Sequence, residues 1–225
     1  KDYLGKIVEV NTQRSAHSSI KKLYEIQGKQ SEKFKYIPYA RKEKKLPIIL
    51  SQAEVQRMFD VCENKKHKAI LGVLYACGLR VSELINLKLK HIDRSRMIIN
   101  IIQAKGGKDR QTMLPESLLS LLEDYYREYL PVEYLFNGQN KEQYSARSVG
   151  EVVKQLAQKA DIKNKKVYTH LMRHNCFTHM VENGVDIALI QRIAGHSSSK
   201  VTNIYLHISH NHISKINSPL NNIRL

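Results

Sequence analysis

The sequence predicts a mostly helical α+β fold carrying one small antiparallel sheet. Apolar residues recur at helical spacing through most of the chain. The spacing turns extended only between residues 98 and 114, where a pair of glycines supplies a tight turn. From the front, Tyr3, Leu4, Ile7 and Val8, then Ile20, Leu23 and Tyr24, predict two short amphipathic helices too small to bury a core. Between Gly28 and Pro47 the pattern dissolves into two prolines and a basic run, which reads as a linker. A new domain starts at Ser51 and Glu54, a capping-box pair whose side chains satisfy backbone donors at a helix start. Val55, Met58, Phe59 and Cys62 continue that helix, and Ile70, Val73, Leu74 and Cys77 give another that ends at Gly78. Strands are expected over 98–102 and 111–114, on either side of AKGGKDR with its Gly106 and Gly107. Helices over 117–129, 145–160, 169–183 and 186–193 follow, with Gly184 and Gly195 as stops.

With 42% hydrophobic and 26% charged residues, the 225-residue chain is of globular composition. Its charge is unusual. Thirty-seven Lys and Arg against twenty-one Asp and Glu leave a formal +16, which favours a polyanionic partner, nucleic acid first. Residues 1–50 carry a surplus of seven of those charges. An anionic membrane is the competitor, but the longest apolar run, Ala69 to Leu79, falls well short of the roughly 20 residues a spanning helix needs. Cys62, Cys77 and Cys176 stand singly, so neither a disulfide framework nor a thiolate metal site is indicated, and a reducing compartment fits. A chain that starts at Lys1 is expected to be a piece of something longer.

Four stretches can carry chemistry. In CGLRVSEL, Arg80 precedes Glu83 by three positions, so the carboxylate can hold the guanidinium from the next turn, as an ion pair of structure or of a site. In AKGGKDR, Lys105 sits beside the glycine turn, where a lysine can enter a groove as a point charge or donate a proton. In THLMRH, His170 and Arg173 share a helix face and can grip a phosphate between them, or serve as a capping pair. In AGHSSSKVTNIYLHIS, His196 precedes Tyr205 by nine residues, and the tyrosine is either a core aromatic or a nucleophile.

In this order, GLRVSEL, AKGGKDR, HLMRH, AGHSS and NIYLHIS resemble the tyrosine recombinase (phage integrase) family over residues 46–209. The resemblance implies a family-like DNA breaking-rejoining domain at 47–225, preceded by a basic interdomain linker at 29–46 and the last helices of a core-binding domain at 1–28. It implies Arg80 and Arg173 as phosphate clamps, Lys105 as general acid, His170 and His196 beside the phosphate, Glu83 in support and Tyr205 as nucleophile. Departures from the usual RHSFATH-like run place Cys176 and Phe177 where Phe and Ala are common, and Met172 and Ala194 stand where Leu is usual. These alter packing and leave every reacting group in place.

The implied reaction is site-specific cleavage and rejoining of DNA through a 3′-phosphotyrosine, needing no cofactor, ATP or metal. Two arginines and two histidines stabilise charge on the non-bridging oxygens, and Lys105 protonates the leaving oxygen. A metal-dependent nuclease would need converging carboxylates, whereas only Glu83 lies close to this cationic set. Seven of ten histidines fall between His170 and His212, but their spacing suits no zinc site. The alternative is a catalytically silent, basic DNA-binding protein. Double-stranded DNA is the expected partner, touched by Arg41, Lys42, Lys44 and Lys45 in the linker and by Lys108 and Arg110 beside the turn. By resemblance the chain is a dimer on one site and a tetramer in synapsis, in the cytoplasm at the nucleoid. The tail with Ile213, Ile216, Leu220 and Ile223 then docks on a neighbour or folds back. Ile204 and Leu206 are expected to anchor their segment while Tyr205 projects towards DNA.

Overall fold

A computed structural model describes residues 10–27, 48–102, 109–138, 142–196 and 198–208. The chain divides into two compact units, Lys1–Lys45 and Leu46–Leu225. In the first, α1 (Val10–Ile26) is one continuous helix that takes in Ile20, Leu23 and Tyr24. The other expected front helix, at Tyr3 to Val8, lies outside the described residues, as do the linker and its basic run.

The second unit begins as its caps dictate. Ser51 Oγ accepts from the Glu54 backbone N–H and Glu54 Oε2 accepts from that of Ser51, the complete capping box, and α2 (Gln52–Asp60) follows. Asn64 caps α3 (Lys65–Cys77) by accepting from the His67 backbone. Helix α3 buries Ala69 through Leu74 together with Cys77, so the long apolar run is a central helix. It stops at Gly78, whose φ of 57° is left-handed and costs a residue without Cβ nothing. The chain then forms α4 (Val81–Ile85), a 3₁₀ turn at Leu89–His91, and three strands: β1 (Ile92–Asp93), β2 (Ile98–Ile101) and β3 (Arg110–Met113). The sheet is antiparallel in the order β1-β2-β3, with Ile92 opposite Ile99, Ile98 opposite Met113 and Ile101 opposite Arg110. Strand β3 starts one residue earlier than the sequence suggests, and β1 has no sequence signal. The turn with Gly106 and Gly107 lies outside the described residues.

Helices α5 (Glu116–Tyr129), α6 (Ala146–Lys159), α7 (Thr169–Glu182), α8 (Ile187–Ala194) and α9 (Ser199–Ile208) complete the unit. Helix α3 packs on α5 and α7, and α7 also meets α8 and α9. This sandwiching explains why α7 is buried on nearly all sides. Its Leu171 and Met172 enter the main core, and its Cys176, Phe177 and Val181 enter a second cluster with Ile190, Ala194 and Tyr205. Each such aliphatic or aromatic side chain stabilises the fold by about 1.5–3 kcal/mol.

Polar groups on α7 tie it to the start of the unit. The Leu50 N–H donates to Asn175 Oδ1 at 3.0 Å. The Leu50 carbonyl lies 3.0 Å from His179 Nε2, and because a carbonyl only accepts, Nε2 carries the proton. His179 Nδ1 therefore accepts from the Tyr75 hydroxyl of α3, at 2.8 Å. The helix that bears His170 and Arg173 is thus fixed against α3 by contacts that leave no choice of tautomer. No described helix is long and apolar enough to cross a membrane.

Candidate active site

A cleft of about 1340 Å³ opens where α4, β3, α7, α8 and α9 converge. Arg80, Arg110, His170, Arg173, His196 and Tyr205 all line it, so side chains up to 125 residues apart in sequence meet in one place. Lys105 and Lys108 belong to the turn outside the described residues, as do Arg41, Lys42, Lys44 and Lys45 and the tail after Ile208.

Glu83 organises the floor. It is 5% exposed and accepts from the Arg80 backbone at 2.8 Å, from Arg80 Nη1 at 2.8 Å and from Arg110 Nη2 at 2.7 Å. Arg173 Nη1 is 3.9 Å away. Burial alone would raise the Glu83 pKa, but Arg110 and Arg80 outweigh it and hold the carboxyl below its usual value. Three guanidinium groups share this one carboxylate, so it cannot neutralise them all, and the floor suits an incoming phosphate. Arg80 is the most open of the three at 22%.

Arg173 is 1% exposed. Its Nη1 donates to the Gly78 carbonyl, and its Nη2 donates to the Ala194 carbonyl at 2.6 Å and to His196 Nε2 at 3.1 Å. Burial first, then Arg80 and Arg110, lower its pKa to about 10, which leaves it charged at neutral pH. Because Arg173 only donates, His196 Nε2 accepts, and Nδ1 must carry the proton it shares with Thr202 Oγ1 at 3.0 Å. Burial, with Arg173, Arg80 and Arg110 nearby, brings the His196 pKa down to about 4. The ring is therefore neutral. His170 is exposed, and desolvation followed by the charges of Arg173 and Arg80 lowers its pKa as well.

Tyr205 reverses one expectation. It is 2% exposed, whereas Ile204 and Leu206 face solvent, so the apolar neighbours do not anchor the segment. On α9, Thr202 and Tyr205 lie three apart on the face that packs on α7 and α8, and the tyrosine ring fits among aromatic rings there. It stacks on His196 with planes 15° apart and contacts Phe177 at 5.5 Å and His174 at 5.8 Å between centroids. The Arg173 charge acts on its phenol. Burial pushes the phenol up to about 12 even though Arg173 and Arg80 pull it down. The core reading of Tyr205 is borne out by its burial, and the same residue also lines the cleft.

Arg110 also departs from expectation. In place of a solvent-facing DNA contact, its side chain is 6% exposed, with Nη2 on Glu83 and Nη1 on the Ile193 carbonyl. Two further residues at or beside the cleft were not singled out in the sequence. Thr202 fixes the His196 tautomer. His174, whose ring meets His170 edge-on at 4.7 Å, has a buried Nδ1 with no partner among the described residues, and burial with His170 and Arg173 lowers its pKa to about 4. The adjacency of His174 to Arg173 was the only available hint.

The family model for the phage integrase family matches residues 49–212. The tyrosine recombinase XerA of Pyrococcus furiosus is 37% identical over 180 residues, which cover 76% of this chain and 61% of that protein. The tyrosine recombinase XerD of Oceanobacillus iheyensis is 34% identical over 188 residues, 77% of this chain and 62% of that protein. The chain thus spans about three fifths of the length of these relatives. A crystal structure of XerA recombinase superposes with a TM-score of 0.67 at 30% identity, covering 94% of this chain and 75% of that one. The XerH recombinase bound to palindromic difH in a post-cleavage complex, with a TM-score of 0.76 at 22% identity, shares the fold. With its motifs gathered in one cleft and a family match over most of its length, this chain belongs to the phage integrase, or tyrosine recombinase, family.

Proposed function

We propose that this chain is the catalytic part of a site-specific DNA recombinase whose nucleophile is Tyr205. The observation that carries the reading is the meeting of Tyr205 and His196 with Arg80 and Arg173 in one cleft whose floor keeps a positive surplus. A scissile phosphate entering the cleft meets the most open guanidinium, Arg80, first. Arg173 then donates to a non-bridging oxygen, where its charge stabilises the transition state more than the ground state. His196 donates to the phosphate from Nε2 once its proton moves there, and the Thr202 hydroxyl serves either tautomer because it both donates and accepts.

The Tyr205 hydroxyl gives its proton to solvent as its oxygen bonds to phosphorus and the bond to the 5′ oxygen breaks. Lys105 protonates that leaving oxygen, and the product is a 3′-phosphotyrosine. Because Tyr205 is buried, seating DNA must shift α9 or draw the phosphate inward for the phenol to reach phosphorus. A basic linker through Arg41, Lys42, Lys44 and Lys45, with Lys108 beside the turn, contacts the duplex backbone. Assembly is a dimer on one site and a tetramer in synapsis, in the cytoplasm. The reaction draws only on the protein's own side chains.

The test is incubation with short, singly nicked duplexes of randomised sequence, followed by denaturation and selection of DNA that stays bound to protein. Wild type forms the adduct and Tyr205→Phe does not. An adduct that survives the substitution refutes Tyr205, and an absent wild-type adduct favours a silent DNA-binding protein.

A further inference from the structure

Arg110 opens β3, five residues after Lys105 in the sequence, and its side chain crosses the site to two other elements. Nη2 reaches Glu83 of α4 at 2.7 Å, and Nη1 donates to the Ile193 carbonyl near the end of α8. The side chain lines the cleft but is 6% exposed, with both terminal nitrogens spent on protein acceptors and its Nε buried without a partner among the described residues. Its stem passes beneath Gly195, where a Cβ would lie 2.6 Å from Arg110 Cδ. Gly195 ends α8 and leads directly into His196.

Two consequences follow from these contacts. Glu83 Oε2 accepts from both Arg110 and the Arg80 backbone, while Oε1 holds the Arg80 guanidinium, so the aim of Arg80 depends on where Arg110 holds the carboxylate. The Ile193 carbonyl on Arg110 and the Ala194 carbonyl on Arg173 fix successive residues of the α8 terminus, and so fix the approach of His196. Burying a charge pair this deeply is weak evidence for stability alone, and a role in specifying geometry accounts for it better.

We propose that Arg110 is a positioning residue for strand cleavage, a clamp among β3, α4 and α8 that aims Arg80 through Glu83 and sets His196 through Ile193 without touching DNA. The proposal rests on the cleavage reading above. Arg110→Lys keeps the charge but cannot reach both acceptors in a fork, and Arg110→Met keeps the stem alone.

With a duplex selected from the randomised pool, both variants keep DNA affinity within about threefold of wild type, as expected of a residue that contacts no phosphate. The single-turnover rate of adduct formation at saturating DNA falls roughly 100-fold, the scale on which misplacing a catalytic group by about an ångström acts. In a Glu83→Gln background, adding Arg110→Met costs less than about threefold, because both act through one carboxylate. Weakened binding with an unchanged rate at saturation, or effects that multiply, would make Arg110 a DNA contact and overturn the proposal. Should Arg110→Met fail to fold, the Arg110→Lys rates decide. Should wild type form no adduct, the cleavage reading fails separately. Guanidinium NMR of the DNA-free protein then decides: the Arg80 Nε–H signal of wild type broadens or shifts in Arg110→Lys, and an unchanged signal overturns the clamp.

Discussion

Replacing Gly195 with alanine tests the packing around the cleft more sharply than any change to a reacting group. Gly195 has φ +62°, and a methyl there would meet Arg110 Cδ at 2.6 Å and Nε at 3.1 Å. Gly184 provides the control, with φ +81° and nothing within 4 Å of its would-be Cβ. Left-handed backbone alone costs alanine about 1–2 kcal/mol, which is the whole expected loss for Gly184→Ala. Gly195→Ala also pushes on an arginine pinned at both ends, at Glu83 and Ile193. Breaking one side of a buried ion pair costs about 3–5 kcal/mol. The expected loss is therefore about 4–7 kcal/mol if Arg110 is driven off Glu83, less if it slides while keeping the contact. Urea unfolding of wild type and both variants measures the difference. Equal losses for the two alanine variants would show that Arg110 yields without effort, and would remove the packing basis for its role as a clamp.

Other outcomes follow from the charges. Burial first, with neighbouring positive charges, brings the His174 and His196 pKa values down to about 4, from the ordinary 6.5 of a histidine. Depressed values mean that the neutral rings stabilise the fold above pH 6.5 and that this contribution is lost as pH falls towards 4. Between pH 7 and 4.5 wild type should lose about 2 kcal/mol more than His196→Asn, read by urea unfolding at the two pH values; equal losses would show that His196 is not held neutral. For DNA, affinity should fall at least about 100-fold between 50 and 200 mM salt, as it does when several phosphates are neutralised. A filter-binding curve indifferent to salt would count against a phosphate-gripping surface.

Much of the architecture was legible because short-range rules set it. Ser51 with Glu54, Gly78 and Gly195 mark helix ends through backbone donors and left-handed φ, and those requirements do not depend on the rest of the chain. The pairing of Arg80 with Glu83 and the shared face of His170 and Arg173 were readable for the same reason. What could not be read was set by tertiary packing. Tyr205 looked like the polar member between Ile204 and Leu206, yet α9 turns it inward because its aromatic pocket comes from Phe177 and His174 of α7 and from His196 just beyond α8. Arg110 sat in a run of charges beside the glycine pair that suggested a DNA contact. Only the register of β3 against Ile101, with α8 packed above, shows that it is a buried clamp. Thr202 carries no motif at all, since its part lies in the partner it gives to His196.

The central claim is that the phenolic oxygen of Tyr205 becomes covalently joined to DNA. Protease digestion of the trapped wild-type adduct, followed by nuclease treatment and mass spectrometry, should place the nucleotide remnant on the peptide containing Tyr205 and on its side chain. A remnant on any other tyrosine, or on a serine or histidine of the cleft, would contradict the account.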